Sequence, residues 1–130
     1  MSDFMKSLSV SASGLKAQAQ RLRHVSENIA NTDTPGYRRK SVSFELEFGI
    51  GDDIGRVETS RVHLDRSELP KVYDPSHPMA DETGHYDGSN VNLVIEIADA
   101  REAQRSYEAN LKMFDQARKM SSSLMDLLRR

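Results

Sequence analysis

Residues 74 to 87 hold Asp74, His77, Asp81, Glu82, His85 and Asp87 within fourteen positions. Carboxylates and imidazoles at such density are the donors a divalent ion takes. The spacing matches neither a calcium-binding EF-hand loop nor the paired ligands of a zinc site. Pro75 and Pro78 further break the run, so it reads as a solvated, turn-rich loop. Arg38, Arg39 and Lys40 form a second charged cluster. No aromatic interleaving follows, and 18 basic against 20 acidic residues leave a net charge of -2. A nucleic-acid interface is not indicated, and salt bridging between subunits or plain solvation is the expected use. Ser13-Gly14-Leu15 lies mid-helix with no strand before it, so it is not a nucleophile elbow. His24 and His63 stand alone. No catalytic triad, phosphate loop or paired catalytic carboxylate emerges, and with no cysteine in the chain thiolate chemistry is excluded. The expectation is a chain that is not an enzyme and holds neither metal nor cofactor.

The elements around these residues are two long helical patterns and a different middle. Met5, Leu8, Ala12, Leu15, Ala19, Leu22, Ser26 and Ile29 recur in steps of three and four, which predicts a helix from Ser2 or Asp3 to Asn31. Ala100, Ala103, Tyr107, Leu111, Phe114, Ala117, Met120, Leu124 and Leu128 predict a second helix over 92–128. Asn90 or Asn92 would cap it, with Glu96 and Asp99 complementing its dipole. Residues 41–89 carry most of the glycines and three of the four prolines. Val42, Phe44, Leu46 and Phe48 alternate with polar residues there, a strand signal, and 55–65 suggests a second strand.

The expected fold is mainly α. The terminal helices pair as an antiparallel, coiled-coil-like domain of residues 1–40 and 90–130, joined by a β or extended segment, 41–89. Hydrophobic residues make up 37% of the chain and aromatics 6%. Two helices alone leave much of each seam wet, so the core should be completed by other chains. The N-terminus has no apolar leader region, and no apolar run reaches membrane-spanning length.

Residues 28–40, NIANTDTPGYRRK, stop the first helix with unusual specificity. Pro35 cannot continue a helix and drives Thr34 extended. Pro35-Gly36 suits the centre of a type II turn, and Asn31 can adopt the left-handed conformation that ends a helix. This stretch resembles the signature of the bacterial flagellar rod and hook protein family, through Asn28, Asn31, Thr34, Pro35, Gly36, Tyr37 and Arg38, with Ser13-Gly14-Leu15 upstream. YDPSHP at 73–78 and NVNLVIEIADAREAQRSYEANLKMFDQARKM at 90–120 narrow the likeness to the proximal rod members. Gly88-Ser89 departs from the pattern, which usually has Pro just before Asn90.

The resemblance implies an axial subunit that polymerises into the periplasmic drive shaft and lines its channel. Its partners would be copies of itself, proximal and distal rod subunits, the adaptor at the rod base and export gate, and the type III export apparatus. Export would occur without a cleaved leader. No nucleic acid and no membrane insertion are implied. Leu8, Leu15, Leu22, Ile29, Tyr107, Leu111, Phe114 and Leu124 would pack helices within and between subunits. Pro35, Gly36 and Tyr37 would set the turn and supply a subunit contact, while Asn28 and Asn31 bond the turn backbone.

Overall fold

The computed structural model describes residues 3–49 and 55–129. Ser2, where the first helix was also expected to begin, lies outside them. Helix α1 spans Asp3–Ala30 and helix α2 spans Leu93–Leu128. At 1.5 Å per residue they are about 42 and 54 Å long. Among the described residues between them run six short strands: β1 (Lys40–Ser41), β2 (Phe44–Glu47), β3 (Arg56–Thr59), β4 (His63–Leu64), β5 (Lys71–Tyr73) and β6 (His85–Asp87). They form three separate antiparallel pairs, β1 with β4, β2 with β3 and β5 with β6. The chain is thus mainly helical with a strand-rich middle.

Helix α1 does not end on a left-handed Asn31. Among the described residues only Gly36 and Gly84 have positive φ. Instead the helix tightens into i to i−3 bonds: Asn31 N donates to Asn28 O at 3.2 Å and Thr32 N to Ile29 O at 3.3 Å. Side chains take more of the terminal carbonyls, Asn31 Nδ2 reaching Glu27 O at 2.8 Å and Thr32 Oγ1 reaching Ile29 O at 2.9 Å. With the carbonyls satisfied this way, a left-handed cap has nothing left to supply. Tyr37 N then donates to Thr34 O, closing a turn with Gly36 at φ 73°, the geometry of type II. Helix α2 begins on Asn92, whose Oδ1 accepts from Val94 N at 3.1 Å and Ile95 N at 3.4 Å.

Fully buried apolar side chains among the described residues are few and small: Ala17, Val25 and Ala103. The buried line on α1 runs Ala17, Val25, Asn28, with Gly14 beside Asn110 of α2. It is rotated from the expected seam, since Ala12, Ala19 and Ser26 are exposed while Leu8, Leu15, Leu22 and Ile29 are half-buried. Small residues permit close backbone approach, and they, not the leucines, sit at the contact. On α2, Tyr107 and Phe114 are half-buried, but Leu111 is 41% and Leu124 46% exposed.

The β2–β3 hairpin lies against α1. Val57 N donates to Ser13 Oγ at 3.0 Å, and Thr59 Oγ1 donates to Gln20 Oε1. Phe44 and Leu46 pair across to Thr59 and Val57, yet Leu46 and Phe48 stay largely exposed.

The β5–β6 ribbon is closed by turns at 74–77, 77–80 and 81–84. Gly84 has φ 82°, and an added Cβ would lie 2.9 Å from Tyr73 Cε2 and 3.1 Å from Pro75 Cγ. Gly84→Ala should therefore cost about 2 kcal/mol or more in urea unfolding, strain plus clash. Gly36→Ala meets nothing within 4 Å and should lose only the backbone part, about 1 kcal/mol. Equal losses at the two positions would contradict this.

Candidate assembly motif

The buried polar node is built from four segments: the end of α1, the turn after it, residues 87–90, and the first turns of α2. The turn and residues 87–90 run side by side. Gly36 N donates to Asp87 O at 3.0 Å and Asn90 N to Tyr37 O at 3.3 Å. Ser89 Oγ donates to Thr32 O. Gly88 N donates to Pro70 O at 2.8 Å, a bond that proline could not make.

Asn28 is at the centre and has no solvent exposure. Its Oδ1 accepts from Tyr37 Oη and from Lys40 N, both at 2.9 Å. Its Nδ2 donates to Lys40 O at 2.8 Å and to Glu96 Oε2 at 3.3 Å. One amide thus pairs with both backbone groups of Lys40 in β1, as a strand neighbour would, and uses its full hydrogen-bonding capacity. Tyr37 is half-buried with its hydroxyl turned inward, and burial chiefly raises its pKa.

Glu96 is also fully buried. It accepts from Arg39 Nε, and Arg39 Nη2 bonds Asp99 Oδ2 at 2.9 Å. Burial works to lower the Arg39 pKa, but the bond to Glu96 and the charges of Glu96 and Asp99 outweigh it and raise the value. Arg21 of α1 lies 3.6 Å from Asp99 and 3.5 Å from Glu102. The basic run is not simply solvated, as one of its two expected roles had it. Arg38 donates to Asp65 O at 3.2 Å and Ser67 O at 2.9 Å, Arg39 reaches α2, and Lys40 pairs with Glu27. All three cations have partners within the chain, because the turn aims each at a different segment. Asn90 is likewise not a helix cap. Its Oδ1 accepts from Arg39 N at 2.6 Å, and its Nδ2 donates to Asp65 O at 2.9 Å.

The expected motif residues therefore converge unevenly. Asn28, Tyr37 and Asn90 meet in the node. Asn31 and Thr34 close the turn beside it, with Thr34 Oγ1 bonding Asn31 Oδ1 at 3.0 Å. Pro35 and Gly36 shape that turn, and Arg38 ties it to the 65–67 loop. Glu96, Arg39 and Asp99 join the node from outside the sequence motif. Asp99 and Glu96 fall four and seven positions before Ala103, so they continue its stripe backwards.

The acidic and histidine-rich ribbon does different work. Asp81 Oδ1 accepts from Thr83 N and Oγ1 and from His85 N. Asp74 Oδ1 does the same for Ser76. His77 stacks on Tyr86 with ring centres 4.0 Å apart, and Tyr73 packs against His85 at 5.0 Å.

Three carboxylates are held below their ordinary values: Glu27 chiefly by Lys40, Asp65 by the Ser67 N–H, and Asp81 by the Thr83 hydroxyl. A depressed carboxylate contributes stability above its unfolded pKa and loses it as pH falls through the folded value. The melting temperature should hold down to about pH 4 and then fall. Asp81→Asn should have a shallower acid limb than the parent chain; superimposable limbs would remove Asp81 from the account.

Two family models match. "Flagella basal body rod protein" covers residues 8–38, ending on the turn, and "Flagellar basal body rod FlgEFG protein C-terminal" covers 82–127, from the ribbon along α2. The chain is 46% identical to the flagellar basal-body rod protein FlgC of Agrobacterium fabrum over 92% of this chain and 91% of the relative. The chain belongs to the flagellar basal-body rod protein family. It is also 31% identical to FlgC of Salmonella typhimurium, with 91% and 92% covered, and 33% identical to FlgC of Bacillus subtilis, with 93% and 95% covered. This rod protein is a structural subunit of the flagellar basal body, and its relatives are rod proteins rather than enzymes. No helix among its described residues is long and apolar enough to cross a membrane.

Proposed function

We propose that this chain builds the proximal rod by pairing its two terminal helices antiparallel, as a coiled-coil-like inner domain of residues 1–40 and 90–130. Residues 41–89 form the outer connecting segment. The order of contacts between the helices carries this reading. Asn28 meets Glu96, Arg21 meets Asp99 and Glu102, and Gly14 meets Asn110. As the number falls along α1, it rises along α2.

The inner domain lines the export channel, and its copies polymerise helically into the hollow shaft that transmits torque. The exposed apolar surface of α2 supports this. Met113, Met120, Leu124 and Leu127 share one face of α2 and are all more than 40% exposed, and Leu111, Met125 and Leu128 are as open on its other sides, more apolar surface than a free monomer usually leaves. Neighbouring subunits cover it: further copies, other proximal and distal rod proteins, and the adaptor at the rod base. A contact that repeats without closing gives a tube of subunits rather than a ring. The chain reaches the periplasm through the type III export apparatus.

Leu111→Asp places a charge in the expected subunit interface without touching the buried node. It should leave the helicity of the purified chain unchanged and lower its recovery in isolated basal bodies at least tenfold, with loss of motility. Undiminished recovery of the variant would remove Leu111 from the assembly surface.

A further inference from the structure

We infer that Asn28, Arg39 and Glu96 are the residues that fix the register of the two helices, a specificity role separate from holding them together. This rests on the helix-pair reading above. The apolar contact between α1 and α2 is poor in information. Its buried members are Ala17, Val25 and Ala103, and small residues recurring every three or four positions pack nearly as well after a slip of one turn. Along α1, Leu8, Leu15, Leu22 and Ile29 repeat a near-uniform pattern. Nothing in that surface rejects a displaced partner.

The node does. Glu96 is the one fully buried carboxylate among the described residues, and it is matched from two independent segments: Asn28 on α1, and Arg39 between the turn and β1. A slip of α2 by one turn moves Glu96 by about 5.4 Å. That distance removes it from both partners and leaves a buried carboxylate, a guanidinium and an amide unpaired. Such a penalty acts on the wrong registers and not on the correct one, the best-attested use of buried polar groups between helices. Asn28 also bonds Tyr37 and both backbone groups of Lys40. The turn must therefore be formed for the node to close, so the turn sequence and the helix register are specified together.

The chain contains no cysteine, so introduced thiols report register without background. Gly14→Cys combined with Asn110→Cys marks the observed register, because a Cβ on Gly14 lies 3.5 Å from Asn110 Nδ2. Gly14→Cys with Ser106→Cys or Phe114→Cys marks slips of about one turn either way. Each pair is placed in the full-length chain and in an apolar-node background, Asn28→Leu with Arg39→Met and Glu96→Leu, and oxidised mildly. A second background, Glu96→Gln, keeps the shape and removes the charge. The expected result is the 14–110 disulfide alone in the parent chain. The apolar node should retain helicity while its ratio of 14–110 to slipped disulfides falls about tenfold or more, the factor that follows from ~1.4 kcal/mol of lost discrimination. Glu96→Gln should lie between the two.

Retention of the 14–110 disulfide alone in the apolar-node chain would overturn the inference and leave the helix pair standing. Loss of helicity in that chain, with Glu96→Gln still confined to 14–110, would also overturn it, since the node would then supply stability and not register. Absence of every disulfide in the parent chain would overturn the helix-pair reading itself.

Discussion

Asn28→Asp should be among the most damaging single-atom exchanges in the chain, costing about 3–5 kcal/mol. The substitution keeps the shape and replaces Nδ2 by a carboxylate oxygen. Nδ2 now donates to Lys40 O at 2.8 Å and Glu96 Oε2 at 3.3 Å. An oxygen there faces two acceptors, one of them a buried carboxylate. Neither a shift of the side chain nor solvent can relieve this, because both residues have no exposure. One escape is protonation of one carboxyl, two like charges sharing a site being unable to stay ionised together. The damage should thus lessen as pH falls, the reverse of the parent chain's acid response. Urea unfolding of parent and variant at pH 7 and pH 4.5 tests both parts. A loss below 1 kcal/mol, or a loss that grows at lower pH, would contradict the geometry.

Glu96→Ala should cost about 3 kcal/mol. It removes the acceptor for Arg39 Nε and for Asn28 Nδ2 and opens a small cavity. Arg39 retains Asp99 at 2.9 Å and is partly exposed, with 26% of its side chain in solvent. The loss therefore stays below that expected for a wholly buried pair. Glu102→Ala is the control, since that carboxylate is 69% exposed and 3.5 Å from Arg21. An exposed pair of this kind is worth well under 1 kcal/mol. Thermal melts in which the two alanine variants behave alike would show that burial of Glu96 has no energetic consequence.

The two helices were legible because apolar residues recur at helical spacing over many turns and Pro35 stops the first of them. The rotation of the α1 contact face was not. The leucines at 8, 15 and 22 are the larger residues and dominate the pattern, but Ala17 and Gly14 allow the nearer approach, and the closest contact decides which face is buried. The β5–β6 ribbon was hidden by Pro75, Pro78 and the polar turns. It forms because Asp74 and Asp81 bond their own turn backbones and Tyr73 and Tyr86 pack against histidines. In the motif, Pro35-Gly36 announced its turn. Glu96 did not announce its burial, since a carboxylate in a first helical turn has an ordinary reason to be there. The sign was its place on the same stripe as Ala103, seven residues before it. Asn90 was misplaced by two residues for a related reason. Asn at 90 and at 92 suits a cap equally, and only the neighbouring turn shows which one faces Arg39.

Cryo-electron microscopy of isolated basal bodies tests most directly the claim that this chain is a rod subunit built on its paired terminal helices. The account predicts density for α1 and α2 side by side and antiparallel at the innermost radius of the proximal rod, with Asn28 against Glu96 and the exposed apolar residues of α2 from Leu111 to Leu128 covered by neighbouring subunits. Helices separated from one another in the rod, or a rod complete without this chain, would contradict it.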